Sequence, residues 1–310
     1  MSKVAIAIPS YNRREYLKQS IASVLAQTFQ DLEIFVFDNH SNQDIAGLVS
    51  EFKEPRLHLL TSEVNLGGRG NLRRIFNYAF TAEWLVVFHD DDVMHPEFLE
   101  RSLRALAAEP KAVLCSTTNV FVKAPEGMEV FELFGNAPLK PLQCDTSADL
   151  TRVIMKGFNL CFDSVVYKTK ILEDMSPFER FGKWVDRPYV IHLAGKGKTL
   201  VLKEKLVNYR VHAGQDSQDS AWDSEIINQN LGLYEFYLEQ LPKPLSQKDK
   251  RLFYSFATNN LARSVPQFAG NFKEALAFYK LCREKKLWRW PYLNFKGAAF
   301  LGIGLLKLIF

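Results

Sequence analysis

Apolar residues in the first 120 positions come in short blocks, and the segments between the blocks repeat them at helical spacing. Val4–Ile8 is an unbroken apolar run, and Glu33–Asp38, Leu57–Leu60, Trp84–Phe88 and Ala112–Thr117 resemble it. Such runs, apolar at successive positions, predict strands buried on both faces. Between them, Arg14–Ala26 carries Tyr16, Ile21, Val24 and Leu25 at roughly helical spacing. Ile45–Phe52, Asn71–Phe80 and Pro96–Ala108 are predicted helices as well. Pro96 suits a helix start, where its missing N–H costs nothing. This βαβα alternation predicts an α/β fold: a mixed, mostly parallel sheet between helices.

The rhythm lapses over residues 120–150, which hold four prolines or glycines before Pro141. A loop-rich insertion is expected there. Regular patterning returns at Thr146–Met155 and Cys161–Tyr167. A helix-like run then opens at Trp184-Val185-Asp186-Arg187 and ends at Gly195-Lys196-Gly197. Beyond Ala221 strand patterns vanish, and Ile226–Leu241, Lys248–Val265 and Phe272–Lys285 all read as helices. The expected organisation is an α/β domain over 1–220 and a helical C-terminal region over 221–310.

Composition adds exclusions. A chain of 310 residues, 47% apolar, can bury a large core without staples and is not a disordered, collagen-like or disulfide-framework protein. Cys115, Cys144, Cys161 and Cys282 form no CxxC pair, which argues against a structural zinc site and suits a reducing compartment. The net charge of +4 is unevenly placed, because residues 270–310 hold eight Lys/Arg and two Asp/Glu. That balance excludes a bulk nucleic-acid binder and points to a basic tail near an anionic surface. Met1-Ser2-Lys3 leads directly into Val4–Ile8, too short for a secretory h-region, and no stretch in the first 290 residues is long and apolar enough to span a bilayer. A cytoplasmic protein is expected.

In a parallel sheet, ligands bind at the carboxyl ends of the strands. Here those ends are polar: Pro9-Ser10-Tyr11-Asn12-Arg13-Arg14, then Asp38-Asn39-His40-Ser41, then Asn65-Leu66-Gly67-Gly68-Arg69-Gly70-Asn71, then His89-Asp90-Asp91-Asp92. Three adjacent carboxylates repel by ~1–4 kcal/mol per close pair at a surface-like dielectric, and a hard divalent cation relieves that repulsion. One Asp would serve as a helix cap before Pro96; three directly after an apolar strand point to Mg²⁺ or Mn²⁺. The glycine segment is not a dinucleotide fingerprint, since position 73 is Arg and the segment follows the third strand. It reads either as a nucleotide-approach loop or as an ordinary turn. Asp38 suits either the N3–H of a uracil or thymine ring or an Asx turn with Ser41. Asp186 suits either a helix cap or a general base on an acceptor hydroxyl. Tyr209-Arg210-Val211-His212, before Gly214 and Ser217, reads as a phosphate or metal contact or as a structural strand end.

Taken in order, these segments resemble the family-two glycosyltransferases with the A-type nucleotide-sugar-binding fold, a Rossmann-like arrangement. The resemblance runs from Val4 to about Ser217, some two-thirds of the chain. It rests on Ala7–Arg13, Ser20–Thr28, Phe37–Ser41, Asn65–Gly67 with Gly70-Asn71, Phe88–Asp92 with Pro96, Val185-Asp186 with Leu193–Gly197, and Tyr209–His212 with Ser217. It implies donor binding in 1–118 and an acceptor side in 119–220. Pro9, Tyr11, Asn12, Arg13 and Asp38 are then expected around the nucleotide base, Asn65, Gly67, Asn71 and Asp90 elsewhere on the donor, and Asp91, Asp92 and His212 on Mn²⁺ or Mg²⁺. Asp186 is the expected catalytic base. There are two departures: the family's first acidic position falls on His89, and the usual Glu before the catalytic Asp is Val185.

The implied activity is inverting transfer of a sugar from a UDP- or dTDP-sugar to a hydroxyl of a saccharide or lipid-linked saccharide, in cell-surface polysaccharide synthesis. Two competing functions are a non-catalytic nucleotide-sugar-binding subunit and a sugar nucleotidyltransferase. The second would want a glycine- and lysine-rich loop where Pro9-Ser10-Tyr11-Asn12 stands. Gly297–Phe310 is apolar except for Lys307 and follows Trp288-Arg289-Trp290-Pro291-Tyr292. At 14 residues it reaches only ~21 Å as a helix, too short to span a ~30 Å hydrocarbon core. It reads either as a segment lying on the inner membrane face or as a core or homo-oligomer helix.

Overall fold

A computed structural model describes residues 2–123, 140–212, 215, 223–268, 272–294, 297–299 and 301. The chain forms two compact units. The first contains residues 1–147, 159–179 and 189–215; the second contains 148–158, 180–188 and 216–310. The sequence reading draws one cut at 220, whereas two short internal segments join the C-terminal residues in the second unit.

The first unit is built on a nine-stranded sheet. Its strands are β1 (Val4–Ser10), β2 (Leu32–Asp38), β3 (Leu57–Leu59), β4 (Trp84–Val87), β5 (Val93–Met94), β6 (Ala112–Lys123), β7 (Leu142–Cys144), β8 (Val165–Lys168) and β9 (Lys198–Val211). They run in the order β3-β2-β1-β4-β8-β6-β9-β5, with β7 also on β9. β3, β2, β1 and β4 are parallel, β8 is antiparallel to both neighbours, and β6 and β9 are parallel to each other. β1 is central, so both its faces are covered and Val4–Ile8 are all buried. Val4, Ile6 and Ile8 share one core with Leu17, Ile21 and Val24 of α1 (Arg14–Leu25) and with Phe98, Leu99, Leu103 and Leu106 of α4 (Phe98–Ala107). Two further helices, α2 (Ile45–Glu51) and α3 (Gly67–Phe76), complete the early βαβα rhythm.

Three boundaries differ from the sequence expectation. α3 starts at Gly67, four residues early. Gly67 takes a positive φ of 70°, and the Leu66 and Gly67 N–H groups are held by the Asn39 and Asn65 side chains, so the glycines form the first turn. Pro96 lies ahead of α4 rather than in it, and its carbonyl accepts the Thr28 N–H at 2.8 Å. β9 runs for 14 residues although only its end had a strand pattern. Lys203 and Lys205 alternate outward and interrupt the apolar run, while Glu204 between them is buried against Arg101 at 2.7 Å.

The second unit is helical: α5 (Ser147–Met155) from Ala148 onward, the first turn of α6 (Asp186–Ala194), α7 (Ser224–Gln240), α8 (Gln247–Ser264) and α9 (Phe272–Glu284). Asp223 and Ser246 cap α7 and α8 by accepting the Ile226 and Asp249 N–H groups. Tyr237, Phe253, Leu261 and Phe278 are buried in its interior. No helix among the described residues is long and apolar enough to cross a membrane.

One buried side chain ties the sheet's leading helix to the β5–α4 connection. Gln27, 1% exposed, donates to the His95 carbonyl at 2.7 Å and accepts the Leu99 N–H at 3.1 Å. Gln27→Ala leaves both backbone groups without that partner, and urea unfolding should report a loss of about 2 kcal/mol.

Candidate active site

The carboxyl tips of the central strands meet at one edge of the sheet, where Ser10 is in register with Asp38 and Ala7 with Val87. Past β4 the chain turns through His89–Asp92 and re-enters the sheet as β5, which pairs with β9. That pairing brings the end of β9 beside the turn. The Arg210 N–H donates to Asp92 Oδ1 at 2.8 Å, and His212 Nε2 sits 3.0 Å from Asp91 Oδ2. From the loop after β1, Arg13 Nη1 donates to Asp90 Oδ1 at 3.1 Å and to Asp91 Oδ2 at 3.0 Å, and the Tyr11 N–H reaches Asp90 Oδ2 at 3.3 Å. His89 Nδ1 lies 3.1 Å from Asp92 Oδ2. Asp90, Asp91 and Asp92 are all buried.

Burial and crowding set the charge states. Burial, reinforced by the neighbouring Asp91 charge, lifts the Asp90 carboxyl to about 7 against the opposing pull of Arg13. Burial and Asp91 raise Asp92 too, while Asp91 itself is held below the ordinary carboxylate range because His212 and Arg13 outweigh its burial. Burial disfavours a charged His89, but the Asp92 hydrogen bond and the charges of Asp163, Asp92 and Asp91 prevail and lift it to about 10. His89, Asp91 and Asp92 each place one donor atom within 4.8 Å of the others. Such a carboxylate-rich group could hold a divalent cation.

The neighbouring loops form a continuous polar wall. Asn12 has a positive φ of 54°; its N–H donates to Ser41 Oγ at 2.9 Å and its side chain accepts the Asn42 N–H at 2.8 Å. The Ser41 N–H donates to both Asp38 oxygens, at 3.2 and 3.4 Å, which is the Asx turn. Asn39 Nδ2 donates to Asn65 Oδ1 at 2.8 Å, and Asn71 Nδ2 to the Phe37 carbonyl at 2.8 Å. Pro9, the half-buried penultimate residue of β1, leads into this wall.

The sequence model described as Glycosyl transferase family 2 matches residues 5–166, just over half of the chain. The chain belongs to glycosyltransferase family 2. A relative, the UDP-Glc:alpha-D-GlcNAc-diphosphoundecaprenol beta-1,3-glucosyltransferase WfgD of Escherichia coli, is 33% identical over 100 residues, covering 32% of this chain and 39% of the relative. Among solved structures, residues 1–349 of S. aureus TarS in complex with UDP-GlcNAc superpose with a TM-score of 0.62 at 16% identity, covering 99% of this chain and 88% of that one. The mannosyltransferase PcManGT from Pyrobaculum calidifontis, in complex with GDP-Man and Mn²⁺, gives 0.54 at 17% identity, with 100% and 87% covered. Both likenesses identify the A-type, nucleotide-diphospho-sugar transferase fold expected from the sequence.

In this family-2 chain the first unit contains Pro9, Tyr11, Asn12, Arg13, Asp38, Asn65, Gly67, Asn71, Asp90, Asp91, Asp92 and His212. Asp186 falls in the second unit, at the first position of α6, half-buried, and its Oδ1 accepts the Arg187 N–H at 2.9 Å. Gly214 and Ser217 lie outside the described residues. His89, read from sequence as a departure from the family, belongs to the group of potential metal donors. Asp163, fully buried behind it with Asn119 Nδ2 at 3.4 Å, carried no sequence signal.

Both His89 and Asp90 bind protons more tightly in the folded chain than in the unfolded one. Asp90, raised to about 7, destabilises the fold once ionised; His89, raised to about 10, stabilises it below its unfolded value near 6.5 and less as pH rises toward 10. Both make stability fall with rising pH. Without divalent cation, the melting temperature should therefore decline between pH 6 and 8.5. Added Mn²⁺ should flatten the slope, and a cation-free slope of the opposite sign would contradict these charge states.

Proposed function

We propose that this chain transfers a sugar, with inversion, from a uridine- or thymidine-diphosphate donor to a hydroxyl of a lipid-linked saccharide in cell-surface polysaccharide synthesis. The observation that carries the reading is the buried acidic turn at the sheet's carboxyl edge, flanked by His212 and Arg13. TarS in complex with UDP-GlcNAc supports a uridine-diphosphate donor, and PcManGT in complex with GDP-Man and Mn²⁺ supports only the broader class, a nucleotide sugar with a divalent cation. The E. coli relative's action on a diphosphoundecaprenol-linked sugar supports the acceptor class.

The nucleotide base would lie between the Pro9–Arg13 loop and Asp38, with Asn65, Gly67 and Asn71 elsewhere on the donor side. Asp91, with His212, His89 and Asp92, would hold Mn²⁺ or Mg²⁺. Held there, a divalent ion would supply positive charge to offset that building on the leaving diphosphate. Arg13 supplies a second positive charge at the same edge, and Asp90 is the carboxyl assigned to the donor itself. Asp186 accepts the proton of the acceptor hydroxyl as that oxygen attacks the anomeric carbon.

Two substitutions separate the roles. Asp91→Asn should abolish the Mn²⁺-dependent part of UDP binding measured calorimetrically. Asp186→Asn should reduce transfer by about 10³-fold or more while leaving UDP binding within about twofold. Undiminished turnover in the second variant would remove Asp186 from the reaction.

The C-terminal tail is the proposed membrane contact, placing the enzyme on the inner leaflet beside its acceptor. Most of Gly297–Phe310 lies outside the described residues. Before it, exposed Lys286, Arg289 and Trp290 (47% exposed) present charge and an aromatic ring to solvent. The full chain should float with vesicles containing anionic lipid, and a chain truncated before Trp288 should not.

A further inference from the structure

The outer face of α3 carries a feature that the donor reading does not use. Leu66, Arg69, Gly70, Arg73, Arg74, Asn77 and Glu179 line an open groove of about 580 Å³, wholly within the first unit. Three guanidinium groups meet one carboxylate, so the lining carries net positive charge. Glu179 is ion-paired with Arg73, and Arg69 Nη1 donates to the Glu179 carbonyl at 3.2 Å. Among the described residues, Arg74 donates to uncharged oxygens, the backbone carbonyls of Asp38 and Leu60 and the Asn71 side chain, which leave its charge uncompensated. α3 has no acidic residue in its first turn; Arg69 and Arg73 are exposed, while Arg74 is half-buried over the Phe37 ring. At one end the lip is apolar, with Leu66 44% and neighbouring Val64 58% exposed. Glu179 also belongs to the segment that leads along the chain into Asp186.

We propose that this groove is a second anion site, separate from the acidic turn, which takes the phosphate or diphosphate ester of the acceptor. Arginine forks match phosphate oxygens, and Glu179 keeps the pair of arginines ordered until an anion displaces it. The apolar lip at Leu66 and Val64 suits the first carbons of a lipid chain attached to that ester. This assignment rests on the acceptor class proposed above.

The test is calorimetric titration of the full chain with inorganic pyrophosphate and with farnesyl diphosphate, in EDTA so that no cation bridges either to the acidic turn. Both should bind. Arg69→Gln with Arg73→Gln should weaken pyrophosphate by about tenfold or more, and Arg69→Gln alone, which keeps the Arg73–Glu179 pair, should weaken it less. Glu179→Gln should tighten it by about threefold, a gain that a purely structural ion pair would not give. Tighter binding of farnesyl diphosphate, lost in Leu66→Ser, identifies a lipid-linked ester; equal affinity identifies a soluble phosphate ester at the same site. No binding by the wild type, or binding indifferent to the arginine substitutions, overturns the proposal. The donor reading is scored separately, by Mn²⁺-dependent UDP binding that Asp91→Asn loses and the arginine variants keep.

Discussion

Three consecutive carboxylates buried at the end of one strand are the constraint around which the first unit is arranged. An unpaired buried carboxylate is too costly to keep charged, so each must find a donor or hold a proton. Arg13 spans Asp90 and Asp91, His212 meets Asp91, and the Arg210 N–H and His89 meet Asp92. These partners come from three separate places: the loop after β1, the turn itself and the last residues of β9. The acidic turn therefore exists only when distant parts of the chain are in register.

The sheet provides that register. β1 is paired with β2 along its whole length and with β4 over Val4–Ala7, which fixes where the Tyr11–Arg13 loop leaves it. β5 is only two residues long, yet it pairs Val93 with Asn208 and Met94 with Val207, and so aligns the acidic turn with the end of β9. The buried Arg101–Glu204 pair and the Gln27 contacts fix α4 and α1 to the same region. Rigid elements thus carry the polar loops, as precise placement of charged groups requires.

The chemistry divides along the chain. The residues proposed for the donor and its cation fall within the first unit, at the ends of β1, β2, β4 and β9 and around the start of α3. The proposed base, Asp186, begins a helix whose first turn belongs to the second unit. The arginine groove on α3 adds a positively charged surface distinct from the negatively charged turn, so donor and acceptor phosphates would be received by opposite chemistries: a cation held by carboxylates on one side, guanidinium groups on the other.

Much of this was legible from sequence because it is local. Apolar runs such as Val4–Ile8 mark strands covered on both faces, and polar residues after each run mark the functional edge. The repulsion in Asp90-Asp91-Asp92 demands counter-charge whatever the fold. What sequence could not supply were the partners. β9 was hidden because its lysines point outward while Glu204 is satisfied by Arg101, a residue about a hundred positions away. His89 joins the potential metal donors, and the buried Asp163 charge acts on it, only through packing. The glycines at 67–70 became a helical turn where Asn39 and Asn65 hold the Leu66 and Gly67 N–H groups. Local periodicity fixes which residues prefer burial; long-range pairing decides which charges meet.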